Sequence, residues 1–157
     1  MMQQFIWISC TRNSIIMEKI KDRYDITLQT LSTLKEVLDK FELGNVPDEY
    51  ILEVRDSINQ RFKYSIDTFW KFLKLYLQEH LKVTLESTTP RAIIREAVNA
   101  NIVSEQDAPI LMDCITSRNE TSHTYNEFLA QQVVDSVPGY YKVMYKIMKN
   151  IPILEIE

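Results

Sequence analysis

The stretch TSRNETSHTYNE, residues 116–127, holds Arg118, His123 and Tyr125 within eight positions, and His123 is one of only two histidines in the chain. These residue types suit chemistry on RNA or a nucleotide without a metal. Histidine titrates near neutrality, so it can take a proton from a ribose 2′-hydroxyl or return one to a leaving oxygen. Arginine stays charged and can grip a phosphate with two parallel hydrogen bonds. Tyrosine adds a hydroxyl and a stacking face.

The spacing sets a geometric condition. On an ideal helix Arg118 and His123 stand about 140° apart around the axis, whereas Asn119 and His123 stack at i and i+4 and Arg118 and Tyr125 share a face. For Arg118 and His123 to reach one substrate atom, the helix must loosen near residues 120–122, or a second subunit must supply the partner. NETSHTYN is rich in side chains that bond to local backbone, so the motif is expected at a helix end. A purely architectural reading stays open beside this one. In it Arg118 pairs with Asp113 or Glu120, His123 caps a helix and Tyr125 packs into the core.

The elements that must position the motif are helices. Apolar residues recur every three or four positions from Met17 through Ile20, Tyr24, Leu28, Leu31, Leu34, Leu38 and Phe41, one stripe of an amphipathic helix that ends near Gly44. Pro47, Asp48 and Glu49 have the character of a first helical turn. The second stripe is Ile51, Val54, Ile58, Phe62, Ile66, Phe69, Leu73 and Tyr76, running to about Leu81. Thr89 and Pro90 are an N-cap and first residue for a third helix, with Asn101 a tolerable left-handed residue after it. Ser104 opens a fourth helix that leads into the motif. Asn126 can cap a fifth from Glu127, with a kink or break expected near Val137 because Pro138 and Gly139 follow. The expected fold is all-α, an antiparallel up-and-down bundle of four to five helices.

Composition agrees. The chain has 157 residues, two glycines, five prolines and 45% apolar residues, the profile of one helical domain. Residues 1–16 read as an N-terminal extension ahead of a single domain at 17–157, against the alternative of a packed terminal segment, since Phe5, Ile6 and Trp7 are costly to leave in water. Cys10 and Cys114 form no ligand-spacing pattern with His80 or His123, so neither a disulfide framework nor a metal is expected. No stretch is apolar enough to span a bilayer, the N-terminus makes a poor secretory signal, and a reducing cytoplasm is the expected location. Net charge is −4, yet residues 61–95 carry seven basic residues against three acidic ones, an asymmetry able to draw a phosphate-bearing ligand to one face. A solvated helix surface with ordinary charge scatter is the competing account.

Read together, RFKYSIDTFWKFLKLYL (61–77), TPRAIIREAVNANIV (89–103) and SRNETSHTYNE (117–127) resemble, in order, the three signatures of the nucleotidyltransferase substrate-binding proteins of the HEPN superfamily, over roughly residues 17–150. That resemblance implies a small helical protein, usually a homodimer, that binds a minimal nucleotidyltransferase and often forms a toxin–antitoxin pair with it. It places the family's catalytic pair on Arg118 and His123, the accompanying polar residue on Asn119, and a tyrosine open to adenylylation on Tyr125. Phe62, Tyr64, Trp70 and Lys71 match the second-helix signature, whereas Lys63 and Asp67 stand where glutamates are common. Lys63, Asp67, Trp70, Lys71 and Lys74 fall in or beside one sector of that helix and are candidates for binding substrate or partner, with core packing of Trp70 and solvation of the lysines as the plainer readings.

The implied function is that of a metal-independent endoribonuclease toxin, without cofactor, acting on RNA. The alternative is a noncatalytic subunit that binds a nucleotide or substrate for its transferase partner. A third reading, a helical interaction protein, requires Arg118 and His123 to be buried and paired internally.

Overall fold

The structure, a computed structural model, describes the backbone of residues 2–42, 44, 46–120 and 127–153, and the side chains of these residues apart from 2–12 and 127–128. Its elements are α1 (Met2–Glu42), a 3₁₀ turn (Asp48–Tyr50), α2 (Ile51–Leu75), a π turn (Tyr76–His80), α3 (Pro90–Asn99), α4 (Ala108–Glu120) and α5 (Glu127–Asn150). No strand occurs among the described residues.

Both long stripes face the core. Ile20, Leu31, Leu34 and Leu38 of α1 and Ile58, Phe62, Ile66, Phe69 and Leu73 of α2 are buried, with Met17, Tyr24, Leu28, Phe41 and Val54 packed at its margin. Ile16 and Met17 are the first side chains of α1 packed against that core among the described residues. Phe62, Phe69 and Phe72 have no exposed surface at all, so α2 is the central post.

Polar crosslinks fix the relative directions. Thr30 meets Ser65 and Thr68, and Arg61 donates to the carbonyl of Thr33, so α1 and α2 run antiparallel. The Tyr24 hydroxyl donates to the carbonyl of Met148 at 3.1 Å, which ties the middle of α1 to the end of α5. Ser117 meets Tyr140 near one end of α4 while Asp107 meets Lys146 near the other, making α4 and α5 antiparallel too. The expected up-and-down bundle is therefore present.

Local signals account for most boundaries. The Thr89 side chain accepts from the backbone N–H of Ala92, and Pro90 is the first residue of α3. Asn101 holds φ +57°, the left-handed conformation in which asparagine is tolerated. The Ser104 hydroxyl accepts from the N–H of Asp107 and donates to its carboxylate, and α4 starts at Ala108, one turn later than Ser104 suggests.

Three further points differ from expectation. The first helix begins at Met2, because residues 2–16 contain no proline or glycine to stop it. The second helix widens into the π turn before Leu81, whose N–H reaches the carbonyl of Tyr76 at 3.1 Å. The third correction is at Pro138. There α5 runs unbroken to Asn150, because Val133, Val134 and Val137 before it and Tyr140, Met144, Ile147 and Met148 after it enter one core. Burial on both sides outweighs the single N–H that proline removes opposite Val134.

Two substitutions measure these balances by denaturant unfolding. Phe62→Ala should destabilise by about 3–5 kcal/mol, whereas Pro138→Ala should stabilise by up to ~3 kcal/mol, since it restores a helical donor at no packing cost to the core.

Candidate functional site

Arg118 lies in the last turn of α4, where the helix dipole favours a cation. Across from it, α2 presents Asp67. The guanidinium Nε donates to Asp67 Oδ1 at 3.1 Å and Nη2 donates to Oδ2 at 3.0 Å, a two-pronged pair. These hydrogen bonds are the main reason that the Arg118 guanidinium is held above its ordinary pKa. Both side chains remain about one-third exposed, at 34% for Arg118 and 30% for Asp67, so the pair sits at the mouth of a cleft and not in the interior.

That cleft has a volume of about 260 Å³ and is lined by Ile66, Asp67, Trp70, Lys71, Pro90, Ile115, Arg118 and Asn119. Its floor is apolar and its rim polar. Trp70 is half-buried against the core, and the Lys71 ammonium stands 5.7 Å from its ring centroid. The structure thus gathers Arg118, Asn119, Asp67, Trp70 and Lys71 into one place. Lys63 lies instead in an adjoining hollow of about 270 Å³, with Asp56, Asn59, Gln60, Glu120, Leu129, Ala130 and Val133. Lys74, a turn further along α2, lines neither hollow. His123 and Tyr125 lie outside the described residues, as does Asn126 with its expected cap.

Among the described residues Arg118 pairs with Asp67. Asp113, offered above as its partner, accepts instead from the Tyr140 hydroxyl at 2.5 Å, and Ser117 shares that hydroxyl at 2.9 Å. Tyr140 stacks on Phe62 with centroids 5.6 Å apart. This buried contact clamps the last turn of α4 onto α5 one residue before Arg118. Burial first, and the Asp113 carboxylate second, push the Tyr140 hydroxyl up to about 12. Internal pairing of Arg118 meets half of the interaction-protein expectation, but its exposure does not meet the other half.

Arg91 was missed as a site residue, although its stretch had been singled out. Its guanidinium donates to Thr116 Oγ1 at 2.6 Å and approaches Met112 Sδ at 3.8 Å, which lays it along α4 beside the cleft that Pro90 helps to form. The proline next to it, not its own spacing, was the available signal. His80 ends the π turn against Tyr76, with ring centroids 4.8 Å apart, about 20 Å along the helix axis from Asp67 and so remote from the cleft. Cys114 is a free, buried thiol pushed well above its ordinary pKa by burial. No cluster of three metal-ligating side chains and no helix long and apolar enough to cross a membrane occurs among the described residues.

Comparison with known proteins bears on the family and the fold. The family model described as nucleotidyltransferase substrate binding protein like matches residues 22–152. The chain belongs to that family. Among solved structures, a Thermus thermophilus protein superposes with a TM-score of 0.69 at 28% identity, covering 81% of this chain and 99% of that one. A mutant form of the toxin–antitoxin MntA-HpeT superposes at 0.61 with 14% identity, covering 85% of this chain and 99% of the other. The tri-AMPylated Shewanella oneidensis HEPN toxin in complex with MNT antitoxin superposes at 0.60 with 14% identity, over 85% and 98%. These last two share the fold of this chain. A search of curated protein sequences returns no match.

In this nucleotidyltransferase substrate-binding-like protein, the clamp behind Arg118 has a pH signature. The raised Tyr140 pKa means that its stabilising contribution is complete below pH 10, the ordinary tyrosine value, and is lost as pH rises through about 12. Unfolding free energies measured across that window should fall more steeply for wild type than for Tyr140→Phe, which has no hydroxyl to titrate.

Proposed function

We propose that this chain is the toxin of a toxin–antitoxin pair whose antitoxin is a minimal nucleotidyltransferase, and that it cuts RNA without a metal. The observation that carries this reading is Arg118, held in the last turn of α4 at the mouth of a half-open cleft, with a histidine five residues on. In the proposed reaction His123 takes the proton of a ribose 2′-hydroxyl as its oxygen attacks phosphorus. The bond from phosphorus to the 5′-oxygen breaks, and a proton returned by imidazolium completes the new 5′-hydroxyl. Arg118 holds the scissile phosphate, and Asn119 orients the histidine. Asp67 keeps the guanidinium aimed and shares it with the incoming phosphate.

Regulation would act on Tyr125. Its hydroxyl oxygen attacks the α-phosphorus of ATP on the partner transferase, pyrophosphate leaves, and the adenylyl group adds negative charge where anionic RNA must dock. Two solved structures that share this fold support the pairing, since both are described as toxin–antitoxin systems and one toxin as AMPylated. The functional unit is a cytoplasmic homodimer, with His123 supplied either by the protomer that carries Arg118 or by its partner.

One observation favours the noncatalytic reading, a subunit that binds a nucleotide or substrate for the transferase. Arg118 is already engaged by a carboxylate in the free protein. Purified protein separates the two. Wild type should cleave RNA in EDTA, and His123→Ala and Arg118→Ala should each lose about 10²-fold or more in rate. A wild type without cleavage supports the binding subunit. Incubation with the transferase and ATP should raise the mass of the Tyr125 peptide by one or more adenylyl groups and suppress cleavage, and Tyr125→Phe should escape both effects.

A further inference from the structure

The motif arginine is not the only cation at this cleft, and it is the one whose charge a carboxylate already offsets. Asp67 is the carboxylate lining the cleft, and its two oxygens are both committed to Arg118. Lys71 lines the cleft and Arg91 follows Pro90 in its wall, and neither has a carboxylate ion-pair partner among the described residues. Lys71 is exposed over the Trp70 ring. Arg91 is exposed too, and its fork is spent on a neutral hydroxyl and a thioether, which leave its charge uncancelled. An acidic protein, net −4, that keeps two unneutralised cations around one small cleft presents a local anion site against its overall field.

We propose that Lys71 and Arg91 form a phosphate-docking pair beside Arg118, each taking one backbone phosphate near the one addressed by Arg118. This rests on the RNA reading above and narrows it. A ligand that offers phosphates to both places is a polynucleotide, not a mononucleotide. Trp70 lines the cleft beside Lys71, and an aromatic ring in such a place suits an unstacked base, which points to a single strand. The α3 helix is then part of the substrate surface: Pro90 shapes the cleft wall and Arg91, the next residue, carries the charge.

The test is binding of a short 2′-O-methyl RNA, which cannot be cleaved through the 2′-oxygen, by fluorescence anisotropy over a salt series. Lys71→Gln and Arg91→Gln should each weaken binding equally for unrelated sequences, and each should flatten the plot of log affinity against log salt by about 0.7, the value of one phosphate contact on a single strand. Arg91→Lys should restore the slope, since charge is what acts. If Arg91 only pins α3 to α4, the lysine variant will behave like the glutamine variant, and the proposal falls. It also falls if both glutamine variants keep the wild-type slope, or if wild type binds no single strand. Binding with the expected slopes by a protein that fails to cut unmodified RNA would uphold the docking pair and remove the ribonuclease reading. Cleavage with unchanged slopes would do the reverse.

Discussion

Asp67 and Arg118 are 51 residues apart in sequence, and their carboxylate and guanidinium meet because the residues behind them share a core. Ile66 is 1% exposed and Ile115 4%, each one residue or one turn from its charged neighbour, and both line the same cleft. Packing therefore sets the distance between α2 and α4, and the ion pair reads it out. At about one-third exposure the pair contributes little to stability, roughly 0–1 kcal/mol. Its consequence is geometric. A freely rotating arginine at a helix end would sample many rotamers, and two parallel hydrogen bonds hold this one across the cleft.

A second contact works from behind. Tyr140 bonds to both Asp113 and Ser117 and stacks on Phe62, so α2, α4 and α5 are tied together within one residue of Arg118. The chain beyond Glu120 that carries His123 thus departs from a turn fixed on two sides. For any chemistry requiring a guanidinium and an imidazole to act on one phosphate, such anchoring limits the misplacement that costs rate.

Charge is partitioned in a way that composition hides. The motif cation is balanced internally, while Lys71 and Arg91 face solvent next to it. Lys63 lies in a different hollow alongside Asp56 and Glu120. The positive excess between residues 61 and 95 is therefore not one patch but several, divided among faces of α2 and α3.

What the sequence determined by itself is local. Repeats of three and four placed the core faces of α1 and α2, Thr89 and Pro90 started α3, Asn101 ended it, and the scarcity of glycine and the helical periodicity excluded sheets. Three ordered signatures were enough to name the family. Each of these follows from interactions within a turn or two of chain, or from patterns that need no folded partner. Tertiary structure decided the rest. It joined Arg118 to Asp67 and Asp113 to Tyr140, placed Lys63 in a hollow apart from the one that Asp67 lines, brought Arg91 beside the cleft, and carried α5 through Pro138. Those outcomes depend on which helix packs against which, and a side chain's partner across that interface is fixed by the summed burial of the whole core, not by its neighbours in sequence.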